Sequence, residues 1–496
     1  MDLLYRSTRG EKQQVTASQA IIKGLADDGG LYVPLSLPKL SVEPEALVGL
    51  PYQEVAYLVM KEFLTDFTEA ELRACIKRAY DDKFDDQAIA PLVKRDGQYF
   101  LELFHGATIA FKDMALSILP HLLTTSLKKN HVDKEIVILT ATSGDTGKAA
   151  LAGFADVPGT SIIVFYPKGG VSPIQEKQML TQKGQNTTVI GVEGNFDDCQ
   201  TGVKKMFADV KLKEDLAAHG YQFSSANSIN IGRLVPQVAY YAYAYACMRA
   251  QGELKSGQKM NVVVPTGNFG NILAAYYAKQ MGIPIDQLIC ASNENRVLFD
   301  FFQSGCYDRN RDFILTSSPS MDILISSNLE RLIYLIAGES TEKNAAMMAE
   351  LQTKGSYTIT AKMKEKLADF CGIYADESEV FGVIREIQER SGYVIDTHTA
   401  VAAAALKKYC DNTADQNPCV IISTASPYKF ARSVMNAIDS KYDALEDFAL
   451  IDELSRLSGV KVPKAIEEIR TAPILHHTVC AKEMMEDSVR NVLSIS

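Results

Sequence analysis

Lys112 stands near the end of the run Phe104-His-Gly-Ala-Thr-Ile-Ala-Phe-Lys-Asp113, a polar stretch that opens an apolar pattern. Phe111, Met114, Ala115, Ile118, Leu119, Leu122 and Leu123 recur at the three/four spacing of a buried helical face, so the lysine is expected in a helix's first turn. A cation there opposes the positive end of the helix dipole, and burial beside the apolar stripe disfavours its charged form. Both effects favour a neutral nucleophilic amine, the group that condenses with a carbonyl. The plainer account is a lysine that pairs with Asp113 or extends its ammonium to water.

Three further clusters of polar residues follow short β-branched runs. Ile136-Val-Ile-Leu-Thr140 leads into Ala141-Thr-Ser-Gly-Asp-Thr-Gly147, where Ser143, Gly144, Asp145 and Thr146 precede a helical pattern. Free backbone N–H groups and hydroxyls at a helix start suit an anion such as a carboxylate, although an ordinary capped turn has the same composition. Val262-Val-Val-Pro-Thr-Gly-Asn-Phe-Gly-Asn-Ile272 is sharper. Gly267 and Gly270 permit a tight turn that aims successive N–H groups, with Asn268, Phe269 and Asn271 around it, at one phosphate. Neither loop has the three-glycine dinucleotide spacing or the Walker spacing. Val420-Ile-Ile-Ser-Thr-Ala-Ser-Pro427 puts Thr424 at a strand exit, where a hydroxyl can also simply bond to backbone. An activated amine, a phosphate cup and a lone hydroxyl on one sheet edge are what pyridoxal 5'-phosphate requires for its aldehyde, its phosphate and its ring nitrogen.

The elements that would position these groups are legible as an alternation. Runs at 136–140, 161–165, 187–191, 262–264 and 420–422 are separated by helical patterns, which implies an α/β fold with parallel strands buried on both faces. Residues 1–95 are expected to form a mostly helical amino-terminal domain, 96–440 a catalytic region with a smaller α/β domain at about 110–220, and 441–496 a helical segment.

Composition narrows the function. With 496 residues, 47% hydrophobic, the chain can bury large cores, and its formal charge of −10 disfavours a nucleic-acid partner. No apolar run reaches the ~18 residues of a membrane span, and Met-Asp-Leu-Leu-Tyr-Arg-Ser-Thr-Arg at the start is unlike a signal peptide, so a cytoplasmic protein without membrane contact is expected. Nine cysteines without a Cys-x-x-Cys pair suit a reducing compartment, and neither they nor His476-His477 provide metal-ligand spacing. A small-molecule enzyme, monomer or homodimer, is the expectation.

His105-Gly-Ala-Thr-Ile-Ala-Phe-Lys-Asp113, Thr142-Ser-Gly-Asp-Thr-Gly147, Gly267-Asn-Phe-Gly-Asn271, Asp396-Thr-His-Thr-Ala400 and Ser423-Thr-Ala-Ser-Pro427, in that order, closely resemble the threonine synthase family. Tyr5-Arg-Ser-Thr-Arg9 and Gly24 to Pro34 resemble that family's opening segment. The resemblance implies a fold-type II pyridoxal-phosphate enzyme, similar to the tryptophan synthase β subunit, that converts O-phospho-L-homoserine and water to L-threonine and phosphate. Carried over by position, it makes Lys112 the cofactor lysine, gives the cofactor phosphate to Gly267, Asn268, Phe269, Gly270 and Asn271, and faces Thr424 to the ring nitrogen. Ser143, Gly144, Asp145 and Thr146 would grip the substrate carboxylate. For the substrate phosphate we nominate Ser320, Asn328 and Arg331, with Asn227 and Arg233 as further candidates; each arginine could equally be a surface ion pair. Ala107, Thr397, Ser426 and Tyr428 depart from the family pattern, Ser426 nearest the ring. Asp396 is read as the cap of a helix starting at Thr399. The alternatives on this fold are a phosphohomoserine phospho-lyase and a serine/threonine dehydratase.

Overall fold

The computed structural model of the protein describes residues 2–142 and 144–495. Two sheets organise it. The larger has the order Phe370–Tyr374, Ile285–Ser292, Met260–Pro265, Cys419–Ser423, Gln98–Glu102, Leu92–Arg95, and every pairing except the last is parallel. The smaller has the order Thr478–Ala481, Thr187–Glu193, Thr160–Pro167, Glu135–Ala141, Tyr221–Ser224 and is parallel throughout. This is the α/β architecture of largely parallel sheets that the sequence predicts. The five β-branched runs seen in the sequence are inner strands of the two sheets, where burial on both faces demands unbroken apolar residues. Ile285–Ser292, also internal, has Asp286 and Gln287 as its second and third residues and carries no such signal.

Helix Ile231–Ala250 is buried along nearly its whole length and packs against helices Tyr52–Phe63 and Gly270–Met281, forming the main core on one side of the large sheet. On the opposite side the alanine-rich helix Thr397–Asn412 lets helix Glu377–Ser391 approach closely, and helix Ala431–Ile438 packs in turn on the latter. A third core lies under the smaller sheet.

Two expectations change. The apolar pattern after Lys112 is two helices, Asp113–Leu116 and Leu119–Lys129, because Pro120 has no N–H to continue the first and instead starts the second. The tail is not wholly helical: Thr478–Ala481 joins the edge of the smaller sheet, and helix Met485–Leu493 then covers helix Phe196–Ala208. Four residues with polar flanks leave no periodic trace. Gly153 brings helix Asp145–Phe154 against the short helix after Lys112; a Cβ there would stand 2.2 Å from the Leu116 carbonyl oxygen, so only glycine allows this approach. Among the described residues no helix is long and apolar enough to cross a membrane.

Candidate active site

The loop carrying Lys112 is stitched to the exit of strand Cys419–Ser423 by backbone hydrogen bonds. Leu103 N–H donates to the Ser423 carbonyl at 2.9 Å, Phe111 N–H to that of Thr424 at 2.7 Å, and Ser426 N–H to that of Ile109 at 3.0 Å. The chain positions of Lys112 and Thr424, remote in sequence, are thereby fixed together, and Thr424 is buried.

Lys112 itself faces a carboxylate. Its Nζ is 3.5 Å from Asp145 Oδ2, with the lysine side chain 14% exposed. Burial lowers its pKa; Asp145 opposes that, and the cations Lys429 and Arg233 reinforce it. The four-residue helix that follows contributes little dipole, so burial and neighbouring charge, not the helix end, favour the neutral amine. Asp113 does not pair with it: its carboxylate accepts from Thr108 N–H at 2.8 Å and Thr108 Oγ1 at 2.6 Å, and burial raises its pKa.

The Gly267–Asn271 turn has the form of an anion cup. Phe269 adopts a left-handed conformation (φ 66°) and starts helix Gly270–Met281, whose first N–H groups point back into the turn. Gly267 lies so close to the 320–321 backbone that a Cβ would meet the Ser320 carbonyl oxygen at 2.7 Å. Asn268 O accepts from Asn328 N–H and Asn328 Nδ2, both at 3.0 Å, and Asn271 Oδ1 accepts from Tyr240 OH at 2.5 Å and Tyr241 OH at 2.6 Å. Asn271 Nδ2 is buried with no partner among the described residues, and so is Arg233 Nε. The unmatched Asn271 amide beside this helix start fits a phosphorylated cofactor whose oxygens would satisfy it, and the unmatched Arg233 nitrogen is left for a further anion.

The other nominated residues separate by what already occupies their polar atoms. Asp145, expected to help grip a substrate carboxylate, has its own carboxylate ringed by Lys112, Lys429 Nζ at 3.2 Å, Gln175 Nε2 at 2.8 Å and Ser320 Oγ at 2.5 Å. Burial opposes its ionisation, but Lys429 and Lys112, helped by Ser320 and His398, hold it well below the usual carboxylate range. An anion so placed anchors cations and would repel a second carboxylate. Around it, Thr142 Oγ1 accepts from Gly144 N–H at 3.0 Å and Gly147 N–H at 2.9 Å, which shapes the loop, and Thr146 is half-buried on the following helix. Ser143 lies outside the described residues.

Arg331, nominated for the substrate phosphate, is fully buried and is no surface ion pair either. Its Nε donates to the Tyr32 carbonyl at 3.0 Å, one terminal nitrogen to the Ile229 carbonyl at 2.5 Å and the other to Asn328 Oδ1, so it braces Asn328 and through it the cup. Ser320 also points inward, its hydroxyl on Asp145 and its N–H on His398 Nε2 at 3.2 Å. Asn227 is exposed and only loosely held by Thr140 Oγ1 at 3.4 Å. Arg233 differs. It is buried, one nitrogen donates to the Ala226 carbonyl at 2.6 Å, its Nε is unmatched, and burial pushes its pKa down to about 10.

Asp396 caps helix Thr397–Asn412 and also accepts from His398 Nδ1 at 2.8 Å, which leaves Nε2 to accept from Ser320. Lys429 and Gln175 were not foreseen. A single lysine in Ser426-Pro-Tyr-Lys-Phe430 has the composition of a solvated turn, and nothing in its spacing signals a fully buried ammonium.

Three family models match the chain: "Threonine synthase N terminus" over residues 4–80, "Pyridoxal-phosphate dependent enzyme" over 88–425, and "Threonine synthase, C-terminal" over 399–474. Threonine synthase of Saccharomyces cerevisiae is 37% identical across 92% of this chain and 94% of its own. Human threonine synthase-like 1 is 42% identical across 87% of this chain, but the matched part is 59% of that longer protein. Among solved structures, pyridoxal-phosphate-bound threonine synthase from Brucella melitensis superposes with a TM-score of 0.87 at 35% identity, and yeast threonine synthase with 0.88 at 33%, each covering 99% of both chains.

Proposed function

Because this chain belongs to the threonine synthase family of pyridoxal-phosphate-dependent enzymes, we propose that it converts O-phospho-L-homoserine and water to L-threonine and phosphate. The observation that carries the reading is the convergence of a buried lysine, Lys112, with an asparagine-lined helix-start cup and a second buried cation, Arg233, whose Nε has no partner among the described residues.

Lys112 would hold the cofactor aldehyde, the Gly267 to Asn271 turn its phosphate, and Thr424 the side of its ring nitrogen. The cofactor, when bound, supplies an electron sink that acidifies the carbons next to the substrate amine. A hydroxyl partner such as Thr424 cannot keep a ring nitrogen protonated as a carboxylate would, so that sink is moderate. Lys112, which burial holds toward its unprotonated form, would be able to accept the Cα proton of a bound substrate. Arg233 is suited to the leaving phosphate: a guanidinium with an unmatched nitrogen in a dry site binds a phosphate oxygen strongly and can follow its growing charge. The substrate carboxylate falls to the backbone N–H groups of residues 145 and 146 and to the Thr146 hydroxyl rather than to the Asp145 side chain.

The same reading treats 1–95, 96–440 and 441–496 as successive units; the first two family matches, 4–80 and 88–425, support a division near 80–88, whereas the third begins at 399, inside the second unit. All nine cysteines are unpaired thiols, which supports a reducing compartment such as the cytoplasm. The test is to incubate the purified protein with O-phospho-L-homoserine and quantify phosphate, threonine and 2-oxobutyrate together. Equal phosphate and threonine are expected. Phosphate matched by 2-oxobutyrate would make the enzyme a phospho-lyase, and no phosphate would overturn the substrate assignment.

A further inference from the structure

Asp145 is shared by two lysines that occupy it unequally. Lys429 Nζ lies 3.2 Å from Oδ1 and also donates to the Thr108 carbonyl at 3.0 Å, with its side chain wholly shielded from solvent. Lys112 Nζ stands 3.5 Å from Oδ2, an ion-pair distance too long for a good hydrogen bond. Gln175 and Ser320 saturate the remaining acceptor directions of the carboxylate. One carboxylate neutralises one ammonium, and a second buried charge beside it is costly unless separately paired. Of the two amines, Lys112 is the one that meets no carbonyl among the described residues.

We propose that Lys429 is a positioning residue for the reactive amine: its ammonium anchors and neutralises Asp145, so that the carboxylate does not retain a proton on Lys112. The proposal rests on Lys112 being the cofactor lysine. Condensation of that amine with an aldehyde forms a carbon–nitrogen double bond and releases one water, and it requires the unprotonated nitrogen. The other charged groups around the pair act in compatible ways. Arg233, from helix Ile231–Ala250, faces Lys112 and adds to the lowering of its pKa. Lys148, from helix Asp145–Phe154, is itself pushed down to about 8 by burial, with Lys429 adding to that effect. Asp113, held by Thr108, is a second carboxylate that also interacts with Lys429, and His398 faces Asp145 from helix Thr397–Asn412.

The experiment uses the full-length protein, stripped of cofactor and reloaded with pyridoxal 5'-phosphate across a pH series, with the rate of capture followed by visible absorbance. Borohydride reduction and peptide mapping then locate the labelled lysine. Lys429→Met should move the capture midpoint up by one pH unit or more, slowing capture at neutral pH about tenfold, since each unit changes the neutral fraction tenfold. Lys429→Arg, which keeps the charge, should restore most of the wild-type midpoint. An unmoved midpoint in Lys429→Met, or an equal shift in Lys429→Arg, would overturn the proposal. If Lys429→Met fails to fold, Asp145→Asn decides: the midpoint should fall below wild type, and a midpoint at or above it refutes the role. A wild-type label found away from Lys112 would instead sink the site reading itself, an outcome distinct from an unchanged midpoint with the label at Lys112.

Discussion

Gly267→Ala probes the contact that closes the turn proposed to hold the cofactor phosphate. The new methyl would stand 2.7 Å from the Ser320 carbonyl oxygen and 3.3 Å from Met321 Cα, both backbone atoms. Relaxed contacts lie at roughly 3.5 Å, so the 320–321 segment must retreat by about 0.8 Å. Ser320 carries two links into the site: its hydroxyl to Asp145 at 2.5 Å and its N–H to His398 Nε2 at 3.2 Å. A retreat of that size stretches them to about 3.3 and about 4.0 Å, beyond hydrogen bonding for the second. Overpacking of this kind costs about 1–3 kcal/mol. The cofactor-free protein can relieve the strain by letting the segment move away, whereas the loaded protein must reimpose it, so the cost should appear mainly in affinity. At 1.4 kcal/mol per factor of ten, the dissociation constant for pyridoxal 5'-phosphate should rise about five- to a hundredfold. The assay is a visible-absorbance titration of stripped protein, paired with thermal melts. Gly282→Ala is the control: its φ is +112° and no atom lies within 4 Å of the new Cβ, so it should cost about 1–2 kcal/mol of stability through backbone strain and leave affinity unchanged. Wild-type cofactor affinity in Gly267→Ala would refute the argument that the 320–321 segment and the cup are packed as one unit.

Lys112→Ala should abolish the visible absorbance of lysine-bound cofactor; a persistent yellow, borohydride-reducible adduct would put the reactive amine elsewhere. Replacing Asn268 and Asn271 together by alanine should weaken cofactor retention at least about tenfold with little change of fold, and unchanged affinity would move the phosphate site. Asn271→Ala also removes the acceptor of Tyr241 OH, whereas Tyr240 OH keeps Gln237 Oε1 at 3.1 Å, so a loss of about 1–3 kcal/mol in stability is expected from one stranded hydroxyl. His105 gives a pH signature. Burial works against its charged form, but contacts to Asp85 at 2.6 Å and Glu102 at 3.0 Å outweigh that and raise its pKa to about 9. Its contribution is therefore complete below the unfolded pKa of about 6.5 and disappears as pH rises through about 9, on the order of 3 kcal/mol in all. The melting-temperature gap between wild type and His105→Gln should shrink from pH 6 to pH 10, and a constant gap would remove the ion pairs from the account.

How much of this was legible from sequence follows from which physical constraint each feature obeys. Strands such as Thr160–Pro167 and Met260–Pro265 must be apolar on both faces, so their runs stand out, whereas the half-exposed edge strands Tyr221–Ser224 and Thr478–Ala481 obey no such demand. The cup was visible because glycines and asparagines at a strand exit are needed for backbone reasons that operate within five residues. Lys112 was visible through the apolar stripe after it, even though Pro120 divides that stripe into two helices.

What sequence could not supply was the state of each polar atom after folding. Arg233 and Arg331 both follow serine- and asparagine-rich stretches, and both become buried. Arg331 meets the Tyr32 and Ile229 carbonyls and Asn328, contributed by segments about three hundred, one hundred and three residues away, and is thereby held as a brace. Arg233 meets only the Ala226 carbonyl and keeps an unmatched Nε. The distinction between a guanidinium that supports a binding site and one available to a ligand thus lies in which partners reach it, and for Arg331 two of those come from distant parts of the chain. Asp145 obeys the same rule. Its surroundings come from residues 112, 175, 320 and 429, so no local spacing could have revealed that a residue in a glycine-rich anion loop is itself the anion that two lysines contest.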